Sequence, residues 1–341
     1  MNIMKKTIGL ATVFTGLLSA ASVITAGASS KVIYGADDRL DHYQASSTRK
    51  QLADSTVALF RSAKVAADGK LTLINFGLKE NLCLEEPFRE QPSGAFCSGS
   101  LIGPDLILTA GHCVTGSYDC ADTKFLFGYA VTSEGYYPGQ VDPSEVYSCK
   151  QVVSRMQEDE GADYAVIKLD REVKNHTPLK VSGKDASVGT RLFVIGHPSG
   201  LPVKVAGGAS VRSADGVGFF VANLDTYGGN SGSAVFNEET GLIEGVLVRG
   251  DNDYVEKGNC MVSQLNADNG GRGEDVTKAS AFSEFIPKEA GEVSQEARPV
   301  TVQSTGLNTT PCTNPGPDAP MSLQLAYANC LAQHFPSFQF P

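Results

Sequence analysis

The sequence predicts an all-β protein built as two antiparallel barrels of six strands each, packed side by side and followed by a short C-terminal extension. Short β-rich runs separated by turn residues recur from residue 55 to residue 262. They fall into two groups of about six, each spanning about a hundred residues, as two small closed sheets require. The 36 glycines, with hardly any apolar spacing of helical period, favour a turn-rich chain. A single β-sandwich of the same strand count is the alternative.

The first group reads STVALF (55–60), KLTLINF (70–76), SGSLIG (98–103), LILTA (106–110), KFLFGY (124–129), EVYSCKQVV (145–153) and YAVIKL (164–169). The second reads RLFVIGH (191–197), VKVAGGASVR (203–212), VGFFVANL (217–224), SAVFN (233–237), IEGVLVRG (243–250) and, as its last candidate, YVEKGNCMV (254–262). These runs place barrel one at about 50–175 and barrel two at about 185–286.

The ends of the chain read differently. Lys5 and Lys6 precede an apolar run from Ile8 to Ile24, and Ala26-Gly27-Ala28 offers a small-x-small cleavage site, so residues 1–28 are expected to be a signal peptide. Thr12, Thr15, Gly16 and Ser19 interrupt that run, which falls short of the ~20 apolar residues of a membrane span. The mature chain then begins at Ser29, or at Val32 if a further cut after Lys31 removes 29–31 as a short propeptide. Beyond Phe285 the composition shifts: STGLNTTPCTNPGPDAP (304–320) reads as a linker and MSLQLAYANCLAQHF (321–335) as one short helix, so 287–341 is a linker and appendage.

Export makes the eight cysteines a disulfide set rather than a metal site, and no Cys-x-x-Cys spacing contradicts this. Cys97 and Cys113 flank one hairpin-like segment, and closing that loop is worth about 3 kcal/mol in the chain-entropy model. Cys312–Cys330 would staple the extension to itself, while Cys120–Cys149 and Cys83–Cys260 follow by elimination. A net charge of −10 argues against nucleic acid or an anionic membrane as partner. The expectation is a secreted or periplasmic monomer acting on protein or peptide, with no membrane contact after signal removal and no metal or cofactor.

The chemistry lies in three short motifs. LTAGHCV (108–114) sets His112 after an apolar strand, GADYAVIKLD (161–170) sets Asp163 at the mouth of another, and GGNSGS (228–233) surrounds Ser231 with small residues. Each is unremarkable alone; together, at strand ends, they form a nucleophile with its base and orienter. A serine hydroxyl needs a base in hydrogen-bond reach, and an imidazole, whose ordinary pKa is about 6.5, takes the proton and gives it up again. Asp163 would hold the His112 imidazole in the tautomer whose free nitrogen faces Ser231. Gly228 and Gly229 permit a tight turn that aims the N–H groups of Gly229 and Ser231 at one spot, an oxyanion hole.

With these motifs, FCSGSLIGPDLILTAGHC, DYAVIKL and GGNSGSAVF, residues 32–286 resemble the chymotrypsin/trypsin-like serine peptidases, and among them the bacterial glutamyl endopeptidases. The resemblance implies the Greek-key double barrel, a Cys97–Cys113 bridge, and His112, Asp163 and Ser231 meeting in the cleft between barrels. It also implies a primary specificity pocket around Asp225, Thr226, Leu247, Arg249 and Gly250. An Asp at position 225 favours Lys or Arg before the scissile bond. Leu247 stands where glutamyl endopeptidases carry a His, although Thr226 matches their Thr. The alternative position for Asp225 is turned away, paired with Arg249 or a backbone N–H.

Two departures bear on activation and binding. Animal members carry an Asp directly before the nucleophile, where this chain has Asn230, and the family's groove Trp is missing because the chain has no Trp. The reading is a secreted serine endopeptidase, with cleavage after Lys or Arg ahead of cleavage after Glu. A catalytically silent binding module and a non-peptidase esterase are the rivals; an esterase elbow normally precedes its acid and His, whereas Ser231 comes last here.

Overall fold

The inner strands form where both faces of the chain are covered. In CSGSLIG (97–103) every residue is buried, and DYAVIKL (163–169) leaves only Lys168 partly exposed, as expected for closed sheets packed against a neighbour. The computed structural model describes residues 32–287. The expected signal peptide, residues 29–31, the linker, the extension and the Cys312–Cys330 bridge lie outside the described residues.

The first barrel comprises β1 (Thr56–Arg61), β2 (Cys97–Gly103), β3 (Leu106–Thr109), β4 (Thr123–Leu126), β5 (Val146–Gln157) and β6 (Asp163–Leu169). It closes in the order β1-β2-β3-β6-β5-β4, with β4 returning to β1. The second comprises β7 (Arg191–Gly196), β8 (Lys204–Ser213), β9 (Phe219–Ala222), β10 (Ala234–Asn237), β11 (Ile243–Arg249) and β12 (Glu274–Lys278). Its order is the same, β7-β8-β9-β12-β11-β10 and back to β7. Every pairing is antiparallel, and each barrel is a Greek key in which the fourth strand returns beside the first. The fold is thus all-β with two closed six-stranded barrels, not a sandwich.

Two strands differ from expectation. KLTLINF supplies only the two-residue strand Ile74–Asn75, paired with Pro92–Ser93; its Leu71 and Leu73 pack with Phe60, Tyr129 and Val141 instead of joining the sheet. YVEKGNCMV forms a hairpin, Tyr254–Lys257 with Cys260–Ser263, outside the barrel. The sixth strand is β12, whose sequence EDVTK carries too much charge to read as a core strand, yet Glu274, Asp275, Val276 and Thr277 are all buried.

The second barrel has its own interior of Leu192, Val194, Val211, Phe220, Val235, Leu247 and Val276. The larger core runs from the first barrel (Leu59, Ile107, Phe125, Val166) to Phe193, Ile195 and Phe236 of the second, so the two barrels bury a common surface. Three disulfides lie among the described residues: Cys97–Cys113, Cys120–Cys149 and Cys83–Cys260, the last tying the long β1–β2 connection to the 254–263 hairpin. The start of the described chain is also built in. Ile33–Tyr34 pairs in parallel with Leu265–Asn266, and Arg39–Asp41 adds to the edge of β8. No helix among the described residues is long and apolar enough to cross a membrane.

Candidate active site

His112 lies just past the end of β3 and Asp163 opens β6, the strand paired with β3, so neighbouring strand ends bring the two together. Asp163 Oδ2 lies 2.7 Å from His112 Nδ1, and Asp163 Oδ1 accepts the His112 backbone N–H at 3.1 Å. A carboxylate on Nδ1 favours the tautomer with its proton there, leaving the lone pair on Nε2. Asp163 is itself gripped from the other barrel. Its N–H donates to Thr277 Oγ1 at 2.9 Å, and the Thr277 hydroxyl donates back to the Asp163 carbonyl at 2.9 Å.

Ser231 sits in the turn before β10, and that turn is seated on the strand ends that carry His112. Ser98 N–H donates to the Ser231 carbonyl at 2.8 Å, and Ser98 Oγ donates to the Gly229 carbonyl at 2.9 Å. The following residue must be glycine. Gly232 has φ +88°, and a Cβ there would lie 2.1 Å from Ser98 O and 2.3 Å from Thr109 Oγ1. No hydrogen bond joins Ser231 Oγ to His112 among the described residues; such bonds commonly tighten only when substrate binds.

The N–H groups of the turn are partitioned. Gly228 donates to Asp253 Oδ2, Asn230 to the Tyr227 carbonyl and Gly232 to the Leu247 carbonyl. Gly229 and Ser231 N–H donate to no acceptor among the described residues. The sulfurs beside His112 belong to the Cys97–Cys113 disulfide, so they offer no thiolate to a metal.

The expected pocket residues are distributed differently. Asp225 is buried, with Oδ1 accepting the Tyr34 N–H at 2.7 Å and Oδ2 the Asp38 N–H at 2.9 Å. It therefore anchors the start of the described chain, assisted by Thr226 N–H donating to the Val32 carbonyl, and does not stand as the cation-selecting base of a pocket. Asn230, which replaces the Asp of animal members, accepts instead from Ser233 Oγ. Leu247 turns into the interior of the second barrel. Arg249 bonds Asp275 Oδ2 at 2.9 Å and the carbonyls of Glu158 and Gly161, so its cation is engaged away from Asp225. Thr226 and Gly250 do converge, on a residue the sequence reading passed over. Thr226 Oγ1 donates to Glu274 Oε2 at 2.8 Å, and the Glu274 carboxylate fills the space a Cβ on Gly250 would occupy, 2.3 Å away. The signal that could have found Glu274 is its alternation with Val276 in the run EDVTK.

Two buried titratable groups flank the site and oppose each other. His197, whose N–H donates to Ser98 Oγ, has its Nδ1 on the Leu201 carbonyl, and burial pushes its pKa from 6.5 down to about 3. Burial pushes Asp225 from 3.8 up to about 7, against the two N–H groups that favour its charged form. Between those limits the unfolded chain holds a proton on residue 197 that the folded chain lacks, and the folded chain holds one on Asp225 that the unfolded chain lacks.

The expected outcome is therefore opposite in sign for two variants. As pH falls from 6.5 to 4.5, His197→Gln should gain stability relative to wild type by on the order of 1 kcal/mol per pH unit, and Asp225→Asn should lose a similar amount. Urea midpoints at several pH values check both. Gly232→Ala should lower stability by about 1–3 kcal/mol through its backbone conformation alone, with the clash adding to that, measured by the same denaturation.

Comparison with known proteins places this geometry. Residues 97–246 match the model of the trypsin-like peptidase domain, a span containing His112, Asp163 and Ser231. Snake venom serine protease 3 of Protobothrops jerdonii is 30% identical over 116 residues, covering 33% of this chain and 42% of that protein. Glutamyl endopeptidase of Staphylococcus aureus (strain MRSA252) is 26% identical over 166 residues, covering 45% of this chain and 43% of that protein. The chain thus spans less than half the length of the curated relatives it matches. Among solved structures, that of a Glu endopeptidase in complex with MPD covers 75% of this chain and 97% of its own, at 22% identity and a TM-score of 0.45. Residues 97–246 thus match a trypsin-like peptidase domain, and the chain is similar over part of its length to serine peptidases.

Proposed function

We propose that this chain is an exported serine endopeptidase that cleaves peptide bonds through an acyl-enzyme. Ser231 Oγ attacks the scissile carbonyl carbon while His112 Nε2 takes the hydroxyl proton, and Asp163 stabilises the resulting imidazolium. The oxyanion of the tetrahedral intermediate accepts from Gly229 and Ser231 N–H. Its collapse breaks the C–N bond, His112 returns the proton to the departing amine, and water repeats the sequence to release the acid. The observation that carries this reading is the 2.7 Å contact between His112 Nδ1 and Asp163 Oδ2 beside a nucleophile turn with two uncommitted N–H groups. Intact catalytic machinery counts against a silent binding module. The trypsin-like domain match counts against an esterase.

The leader expected at 1–28 and three disulfides among the described residues support export to an oxidising compartment, secreted or periplasmic. The mature terminus follows from the same reading. Val32, Ile33 and Tyr34 are buried and bonded, so a cut after Lys31 would leave a terminus already seated in the fold.

Two variants test the reaction. Ser231→Ala and His112→Ala should each lower kcat by several orders of magnitude, roughly 10⁶ in a related triad, with unchanged denaturation midpoints. Fluorophosphonate should label wild type and not Ser231→Ala. Labelling without peptide cleavage would favour an esterase, and turnover near wild type in Ser231→Ala would refute the assignment.

A further inference from the structure

We infer that Asp253 and Tyr254 are positioning residues for the oxyanion hole: between them they hold the Gly228–Gly229 peptide in the orientation that turns the Gly229 N–H towards the reacting carbonyl. The inference rests on the peptidase reading above, in which that N–H is one of the two oxyanion donors.

The peptide is gripped at every backbone group but one. Gly228 N–H donates to Asp253 Oδ2 at 2.9 Å, the Gly228 carbonyl accepts from Ser199 N–H, and the Gly229 carbonyl accepts from Ser98 Oγ at 2.9 Å. Gly229 N–H is the group left over, with no acceptor among the described residues. No cis peptide bond occurs among those residues, and in a trans peptide C=O and N–H point in opposite directions. Ser199 on the Gly228 carbonyl therefore fixes the Gly229 N–H on the opposite edge. Half a turn of this peptide would place the Gly228 carbonyl oxygen where the oxyanion forms, exchanging an attraction for a repulsion. Gly228 and Gly229 lack the Cβ atoms that would resist such a turn, so the restraint has to come from outside.

It comes from one hairpin. Asp253 and Tyr254 are consecutive residues at the entry to the 254–263 hairpin, and they act on the two sides of the peptide. Asp253 takes Gly228 directly, in a charge-assisted bond roughly twice as strong as a neutral one. The Tyr254 hydroxyl lies 2.7 Å from Ser199 Oγ and holds the residue that holds the carbonyl. Ser199 needs this, because it is a non-glycine residue at φ +50°, a left-handed conformation that persists only where its surroundings impose it. Ser93 Oγ at 2.6 Å and Lys79 Nζ at 3.0 Å donate to its carbonyl. The hairpin is itself fixed. The Tyr254 ring packs on Tyr227 with centroids 5.0 Å apart, the Asp253 carbonyl accepts from Gln264 N–H at 2.8 Å, and the Cys83–Cys260 disulfide ties the far strand down.

The test uses the full mature chain, the peptide amide that wild type cleaves best, and the matching peptide boronate, a mimic of the tetrahedral intermediate. Asp253→Ala should lower kcat by roughly 10- to 100-fold, short of the roughly 10²–10³-fold lost when an oxyanion donor is removed outright, with KM within about twofold of wild type. Affinity for the boronate should fall by the same factor as kcat/KM, since only the tetrahedral state uses the donor. Asp253→Asn, whose side-chain oxygen still accepts the Gly228 N–H, should recover most of the loss. Tyr254→Phe should lower kcat by about threefold to tenfold, the effect of one lost hydrogen bond, again at unchanged KM. Should Asp253→Ala not fold, Tyr254→Phe carries the test by the same split between kcat and KM. Wild-type kcat in both Asp253→Ala and Tyr254→Phe, a loss confined to KM, or an Asp253→Asn variant as slow as Asp253→Ala overturns the inference. Those results, with wild type cleaving peptides and taking a fluorophosphonate label on Ser231, sink this inference alone; a wild type that neither labels nor cleaves sinks the peptidase reading beneath it.

Discussion

The reciprocal pair of hydrogen bonds between Asp163 and Thr277 is the interaction on which the site depends. Asp163 opens a strand of the first barrel and Thr277 lies in the last strand of the second, so the backbone that presents the carboxylate to His112 is fixed from both barrels. The Ser231 turn repeats this logic in reverse, since it belongs to the second barrel and is held by Ser98 of the first. Proteins of two closed sheets tend to bind at the junction, where strand ends from both can converge polar groups on one point. Here the Asp163 side chain is buried while that of His112 stays partly open, so their contact is shielded mainly on the carboxylate side.

Much of this was legible in the sequence because reactive groups restrict residue type severely. A His after an apolar strand, an Asp opening another and a Ser among glycines stand out against any background of loops. The partners of the expected pocket residues were not legible, for two reasons. Glu274 lies in EDVTK, whose charges read as solvent-exposed, and only the packing of Arg249 and Arg272 on Asp275 explains how such a strand is buried. Asp225 drew attention by its distance from Ser231 along the chain, but its partners, Tyr34 and Asp38, lie nearly two hundred positions away and no local pattern announces them. Leu247 was misplaced because strand register decides which face a side chain takes, and a shift of one residue exchanges pocket for core.

The start of the described chain gains meaning from the same contacts. Residues 32–38 meet Thr226, Asp225 and the Leu265–Asn266 strand. The carboxylate that anchors this segment is Asp225, while Asn230, next to Ser231, accepts from Ser233 Oγ. With Asp225 raised to about 7 by burial, that attachment is sensitive to the ionisation of one group near neutral pH.

The central claim is that Ser231, His112 and Asp163 act as one unit across the junction of two barrels. A crystal structure of the mature chain inactivated by a peptidyl fluorophosphonate tests it most directly. The account predicts phosphorus bonded to Ser231 Oγ, its oxygen within about 2.7–3.1 Å of the Gly229 and Ser231 N–H groups, and His112 Nδ1 still on Asp163. Phosphorus on another residue, or an oxygen turned away from that pair of N–H groups, would contradict it.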